Sequence, residues 1–243
     1  MNTIATIEAR MTSTRLPGKV LMPCQGRPML AHMVERLARV PSLDGIVVAT
    51  TTNASDDPIE SLAAELGVGV WRGSEDDVMA RVLGAATHFQ AEVIVETTGD
   101  CPLIDPEIVE TCIARYRELG VDYLSNVMER SFPIGMDTQV FATSVLADAA
   151  SRTNDPVDHE HVSLFIYRHP ELYTLANLSA PEGLNDPDLR LTLDTPQDFE
   201  LIDRIFGHFL PDRPEFTLAD ILALLSANPQ WRGINSHVQH RWV

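Results

Sequence analysis

Apolar residues change their period several times along the chain, and each change marks an element. Residues 3–9, TIATIEA, form a short apolar-rich run of the kind left by a buried strand. Pro28 then opens PMLAHMVERLARV, whose apolar positions recur at helical spacing. DGIVVATT is rich in β-branched residues and reads as a second strand. Asp56 and Pro58 start a helix that Gly67 stops. VGVW is a third strand, Ser74 caps a helix over EDDVMARVLGAATHF, and AEVIVETT is a fourth strand running into GDCPLID. Asp105 and Pro106 begin the helix PEIVETCIARYREL, closed by Gly120.

Strands and helices thus alternate through residue 120, which predicts right-handed crossovers and a parallel sheet with helices on both faces. Beyond it the pattern loosens. DYLSNV, GMDTQVFA and ELYTLANLSA read as strands, and SVLADAASR and DHEHVSLFIYRH as helices. LRLTLD is a late strand followed by the helix PQDFELIDRIFGHF, and FTLADILALLSA is the last helix. The economical expectation is one α/β domain over residues 1–243 with a small inserted lobe near 122–185.

Composition narrows the class. The chain has 18 basic and 35 acidic residues and a net charge of −17, which should repel nucleic acid and anionic membranes. No apolar run approaches the roughly 18 residues that span a bilayer. The N-terminal MNTIATIEAR lacks a basic segment followed by an apolar stretch, so no signal peptide is expected. Cys24, Cys101 and Cys112 are odd in number and lack metal-type spacing, which suits reduced thiols in a cytoplasmic protein. The charge is unevenly spread: Lys19 is the only lysine, and it lies with Arg10 and Arg15 in the acid-free stretch ARMTSTRLPGKVL. A local cationic loop in an acidic protein points to a small anion, helped by a divalent cation.

In a parallel sheet, ligands bind beyond the C-terminal ends of the strands. Three features fall at such ends: the basic loop, Asp100 and Asp194. The loop is neither a Walker A sequence nor a G-x-G-x-x-G turn. It offers backbone N–H groups, the hydroxyls of Ser13 and Thr14, and three cations, the donors that a triphosphate requires. Pro17-Gly18 should turn Lys19 back into the site. Asp100 and Asp194 read either as helix caps and turn residues or as a pair holding Mg²⁺. Beside a phosphate loop, the pair would serve phosphoryl or nucleotidyl transfer. His159-Glu160-His161 is not H-E-x-x-H and does not predict a zinc pair. No G-x-S-x-G supports serine hydrolysis.

Taken together, ARMTSTRLPGKVL, GRPML, WRGSEDDVMAR, TGDCPLID, YLSN, FPIGMDTQVF, HEHVSLFIYRHPE and LRLTLDTPQDFELI resemble the sugar-activating cytidylyltransferases, in that order. The nearest resemblance is to the spore coat polysaccharide biosynthesis protein F family. The synthetases of CMP-sialic acid and CMP-3-deoxy-manno-octulosonate are more distant relatives. The resemblance implies a Rossmann-like nucleotide-diphospho-sugar transferase fold, CTP and an acidic sugar-like acceptor as substrates, Mg²⁺ as cofactor, and a homodimer built through the inserted lobe. It implies that Ala9, Arg10, Met11, Ser13, Arg15 and Lys19 hold the nucleotide, with Lys19, Arg15 and Asp100 acting in catalysis. Ser74, Asp77 and Arg81 fall where such enzymes read the base. Asp100 and Asp194 match the metal aspartates, and Gly135, Asp137, Gln139, Glu160, His161 and Arg190 fall in the acceptor stretches. Two positions depart from the pattern: Glu8 replaces the usual glutamine, and Gln139 an acid. The competing readings are transfer to a phosphate or phosphonate acceptor, with Arg130, Arg152 and Arg190 supplying charge, a glycosyltransferase using Asp186-Pro187-Asp188, and a non-catalytic nucleotide sensor.

Overall fold

The computed structural model describes residues 1–239. β1 (Thr3–Glu8) is followed by the cationic loop, a two-residue hairpin of β2 (Pro23–Cys24) and β3 (Arg27–Pro28), and α1 (Met29–Leu37). Next come β4 (Gly45–Thr51), α2 (Asp57–Glu65), β5 (Gly69–Gly73), α3 (Val78–His88), β6 (Val93–Thr98) and α4 (Pro106–Leu119). The second half contributes β7 (Tyr123–Ser125), β8 (Gln139–Ala142), α5 (Thr143–Arg152), α6 (Pro156–Glu160), α7 (Leu164–Arg168) and β9 (Leu175–Asn177). It closes with α8 (Pro196–Phe209), α9 (Leu218–Ala227) and α10 (Pro229–Arg232).

Seven strands form one sheet in the order β5-β4-β1-β6-β8-β7-β9. β5, β4, β1 and β6 are parallel, β8 runs antiparallel between β6 and β7, and β9 pairs parallel with β7. Residues 122–185 therefore supply three strands of the same sheet. Alternate residues of the central strands enter two cores. Ala5, Ile7, Val48 and Val95 pack with α1, α4, α8 and α9 on one face. Ile4, Val47, Ala49 and Ile94 pack with α3, α5 and α7 on the other. This is the mostly parallel α/β sheet that the alternating pattern predicts, with helices on both faces. No described helix is long and apolar enough to cross a membrane.

Four local expectations need correction. LRLTLD is not a strand; only Arg190 makes a bridge, to Ile134. Its alternation is real, since Leu189, Leu191 and Leu193 are buried in the first core, but its main chain is held by Ile134 and Asp100 instead of a ladder. The helix read over 158–169 is two short helices, α6 and α7, because Val162 between them adopts φ +45°. α3 starts at Val78, capped by Asp77, whose carboxylate accepts from the Ala80 N–H; Ser74 instead accepts from the Asp77 N–H at 3.1 Å. Asp56 does not cap α2 through its side chain but is buried and turned toward the loop after β1.

Candidate active site

The loop after β1 is bent back by its own sequence. Gly18 lies at φ +71°, where a side chain would be strained, and its N–H donates to the Met11 carbonyl at 3.0 Å. Asp56 anchors the loop's other arm, accepting from the Met11 N–H at 2.9 Å. Lys19 then starts a single 3₁₀ turn and points to the strand ends. Its Nζ donates to Asp100 Oδ2 at 2.9 Å and to Asp194 Oδ1 at 2.8 Å.

Asp100 reaches this point because Gly99 lets β6 turn sharply. A Cβ at Gly99 would sit 2.9 Å from the Glu8 carbonyl oxygen, which already accepts from the Gly99 N–H. Thr98 Oγ1 donates to Asp100 Oδ1 at 2.6 Å. Burial pushes the Asp100 carboxyl up, but Lys19 and the Thr98 hydroxyl outweigh it and hold the group down at about 2. Burial works against the Lys19 ammonium too, yet the two carboxylates raise its pKa above the ordinary lysine value.

Asp194 belongs to a larger knot. Thr195 and Asp198 form a capping box at the start of α8, which leaves the Asp194 side chain out of the capping. Asp194 accepts from Lys19, from Arg15 at 2.9 Å and from Arg190 at 2.5 Å. Arg190, 3% exposed, also donates to Asp198 Oδ1 at 2.9 Å. Asp198 in turn accepts from the Asp194 and Thr195 N–H groups and from Asn235. Gly135 admits this segment: its φ is +106°, and a Cβ would lie 2.7 Å from the Leu191 carbonyl carbon.

A cavity of about 390 Å³ opens beside these groups. Ala9, Arg10, Ser13, Arg15, Lys19 and Arg81 line it, together with Asp100, Asp194, Glu160 and His161. The remaining expected site residues stand elsewhere. Ser74 and Asp77 organise the start of α3, and Asp77 also bonds His159 at 2.9 Å. Asp137 pairs with both terminal nitrogens of Arg130, at 2.8 and 3.0 Å. Gln139 lies opposite Glu96 in the sheet. Met11 packs against the core, and Arg190 works behind Asp194. Asp186 of the Asp-Pro-Asp sequence is held by Arg232 at 2.6 and 2.7 Å, outside the cavity.

Asp100 Oδ2 and Asp194 Oδ1 converge on one ammonium, and carboxylates are the hard oxygen donors that Mg²⁺ takes beside waters and phosphate oxygens. Among the described residues no group of three or more His, Cys, Asp or Glu gathers for a metal.

The opposite wall is different. Glu8, the last residue of β1, lines the cavity with Oε1 buried and without a hydrogen-bond partner. Burial raises its pKa to about 7, and Arg81 only partly offsets this. Glu96, on the same face of neighbouring β6, is 3% exposed, and burial with Glu8 nearby lifts its pKa well above the carboxylate range. Asp198, Asp56 and Glu96 are absent from the sequence-derived set. The T-P-Q-D pattern could have revealed Asp198 as part of a capping box; Asp56 and Glu96 leave no comparable mark.

A family model described as cytidylyltransferase matches residues 4–222. The spore coat polysaccharide biosynthesis protein SpsF of Bacillus subtilis is 35% identical over 229 residues, spanning 92% of this chain and 93% of that protein. The 3-deoxy-manno-octulosonate cytidylyltransferase of Geobacter sulfurreducens is 32% identical over 205 residues, spanning 73% of this chain and 80% of that protein. The structure of a cytidylyltransferase from Leptospira borgpetersenii superposes with a TM-score of 0.90 at 33% identity, covering 100% of both chains. A match of this extent makes the chain a member of the cytidylyltransferase family, a nucleotidyltransferase by class.

Proposed function

We propose that the chain transfers CMP from CTP to a hydroxyl of an acidic sugar-like acceptor, releasing pyrophosphate. One observation carries this reading: Lys19, Asp100 and Asp194 meet at a single point on a cavity that also receives Arg10, Arg15 and Ser13. The loop cations, hydroxyls and N–H groups bind the triphosphate. Asp100 and Asp194 would hold Mg²⁺, which supplies neutralisation of phosphate charge. The acceptor oxygen bonds to the α-phosphorus as the bond from that phosphorus to the bridging oxygen breaks. The acceptor proton passes to solvent, and Lys19 and Arg15 stabilise the charge that grows on the leaving pyrophosphate.

Glu160 and His161 support acceptor binding in the same cavity. A strongly anionic phosphate acceptor is less well served. Arg130 is engaged by Asp137, Arg190 by Asp194 and Asp198, and Arg152 by Asp148. We take residues 1–243 as one unit acting as a homodimer, with 122–185 as its acceptor and association lobe. The exposed Val157 and Leu172 in that stretch are suited to such a contact.

The test is Mg²⁺-dependent pyrophosphate release, pairing each of the four nucleoside triphosphates with sugar acids, neutral sugars and phosphorylated polyols. Release that requires CTP and a sugar acid is expected. Silence across the panel while CTP still binds would reject the acceptor class, and absence of CTP binding would reject the site itself.

A further inference from the structure

The knot around Asp194 receives one side chain from far along the chain that the proposed chemistry does not use. Asn235 follows the last helix, α10, and lies beyond residues 4–222, the stretch that the family model matches. It is 2% exposed. Its side-chain Nδ2 donates twice, to Asp198 Oδ1 at 2.8 Å and to the Arg190 carbonyl at 3.0 Å. The segment that carries it is held on either side. Arg232 grips Asp186 through both terminal nitrogens, and Ile234 packs against the first core. The Val238 N–H donates to the Asn235 carbonyl at 2.9 Å.

The burial of an amide is offset only by the hydrogen bonds it makes, and these two converge on the groups behind Asp194. Asp198 Oδ1 receives two donors, Asn235 Nδ2 and Arg190 Nε at 2.9 Å, which fills its two lone pairs. Asp198 Oδ2 is taken by the Asp194 and Thr195 N–H groups. A guanidinium is a rigid fork. With Nε fixed on Asp198, the Arg190 fork sends Nη2 to Asp194 Oδ2 at 2.5 Å. That contact occupies Oδ2 and turns Oδ1 toward Lys19 and Arg15. We propose that Asn235 is a positioning residue for the transfer reaction: by filling Asp198 and holding the Arg190 main chain, it fixes the carboxylate oxygen that Asp194 presents to Lys19. This rests on the reading of the chain as a transferase that acts through Lys19 and Asp194. Without the amide, Asp198 Oδ1 lacks a donor, the Arg190 fork shifts toward it, and Asp194 loses its fixed orientation. A side chain that only docked the segment would add stability and leave Asp194 where it is.

Lys19 is the only lysine in the chain, so lysine labelled with ¹³C and ¹⁵N gives a single side-chain signal from the middle of the site. Its ¹³Cε and ¹⁵Nζ shifts, recorded by NMR at fixed pH without nucleotide or metal, report the Asp194 contact independently of activity. Asn235→Ala is expected to move both shifts toward those of an exposed lysine. It should also lower kcat for Mg²⁺-dependent pyrophosphate release from CTP about 10-fold while KM for CTP changes less than about 2-fold. Asn235→Asp keeps the shape but turns a carboxylate on Asp198, and should do more on both counts. Asn235→Ser, the gentler change at a buried site, replaces either variant that does not fold. Arg232→Ala breaks the neighbouring clamp on the same segment and should leave the Lys19 shifts and kcat as in the wild type. An Asn235→Ala protein with a lowered Tm but unchanged Lys19 shifts and kcat overturns the proposal. So does an Arg232→Ala protein that loses as much, because docking of the segment would then suffice. Absence of pyrophosphate release by the wild type would overturn the transferase reading, and the Lys19 shifts would still decide whether Asn235 sets the Asp194 contact.

Discussion

Around Asp194 the buried charges are matched, and around Glu8 they are not. Asp194 receives Lys19, Arg15 and Arg190, and Arg190 is answered by Asp198, which also accepts from two backbone N–H groups and Asn235. Around Glu8, by contrast, Glu8 Oε1, Glu96 Oε2, Thr6 Oγ1 and Arg81 Nε have no hydrogen-bond partner among the described residues. A matched network of this kind fixes the backbone of a loop that has no ladder to hold it. It places two carboxylates on one point before any ligand arrives. The unmatched polar atoms lose their water on folding and gain no hydrogen bond in return. One fold thus compensates the buried charges around Asp194 and leaves polar atoms bare around Glu8.

The largest expected effect comes from breaking the matched side. Asp198→Ala strands the buried Arg190 and removes the anchor of Asp194, so it should cost about 3–5 kcal/mol in unfolding free energy, read by chemical denaturation. A loss below about 1 kcal/mol would mean that the knot does not hold the segment. Lys19→Ala and Asp100→Ala should each lower pyrophosphate release by about 10²–10³ with normal folding; near-normal turnover in either would remove the role assigned to that residue.

The unmatched side predicts the opposite sign. The folded-state pKa of Glu8 lies at about 7, above the ordinary 4.5. The protein therefore tolerates the protonated acid best, and stability is fully present below about pH 4.5 and lost as the pH rises through about 7. Glu8→Gln should consequently be more stable than wild type at pH 8, on the order of 2–3 kcal/mol, and equal to it near pH 4.5. Thermal melts without metal would measure this; a variant less stable than wild type at pH 8 would show that the carboxylate is compensated after all. At the bottom of the scale, breaking the exposed Arg204–Glu200 pair by Arg204→Ala should cost no more than about 0.5 kcal/mol. A larger loss would indicate that Arg204 matters through the Trp231 ring, 5.7 Å away.

Much of the site was legible before the structure. The strand-end positions of the basic loop and Asp100 follow from the alternation of apolar runs; Asp194 ends no strand, yet Lys19 meets both aspartates. Of the segment that the resemblance assigns to the base, only part reaches the cavity. Ser74 and Asp77 have the residue types for recognition but serve the helix start, because polar side chains near a helix N-terminus are taken up by its free N–H groups. Only Arg81 of that trio lines the cavity.

By itself, the sequence determined the central strands β1, β4 and β6, the helices on both sides, and the turn at Gly18 that sends Lys19 inward, because these depend on local periodicity and backbone freedom. Tertiary structure decided which charges meet. Lys19 and Asp194 are 175 residues apart, and Arg190 matters only because Gly135 lets its segment approach. It also decided that Glu8 stays unpaired, since burial and the distance to Arg81 are properties of packed strands and helices, not of spacing along the chain.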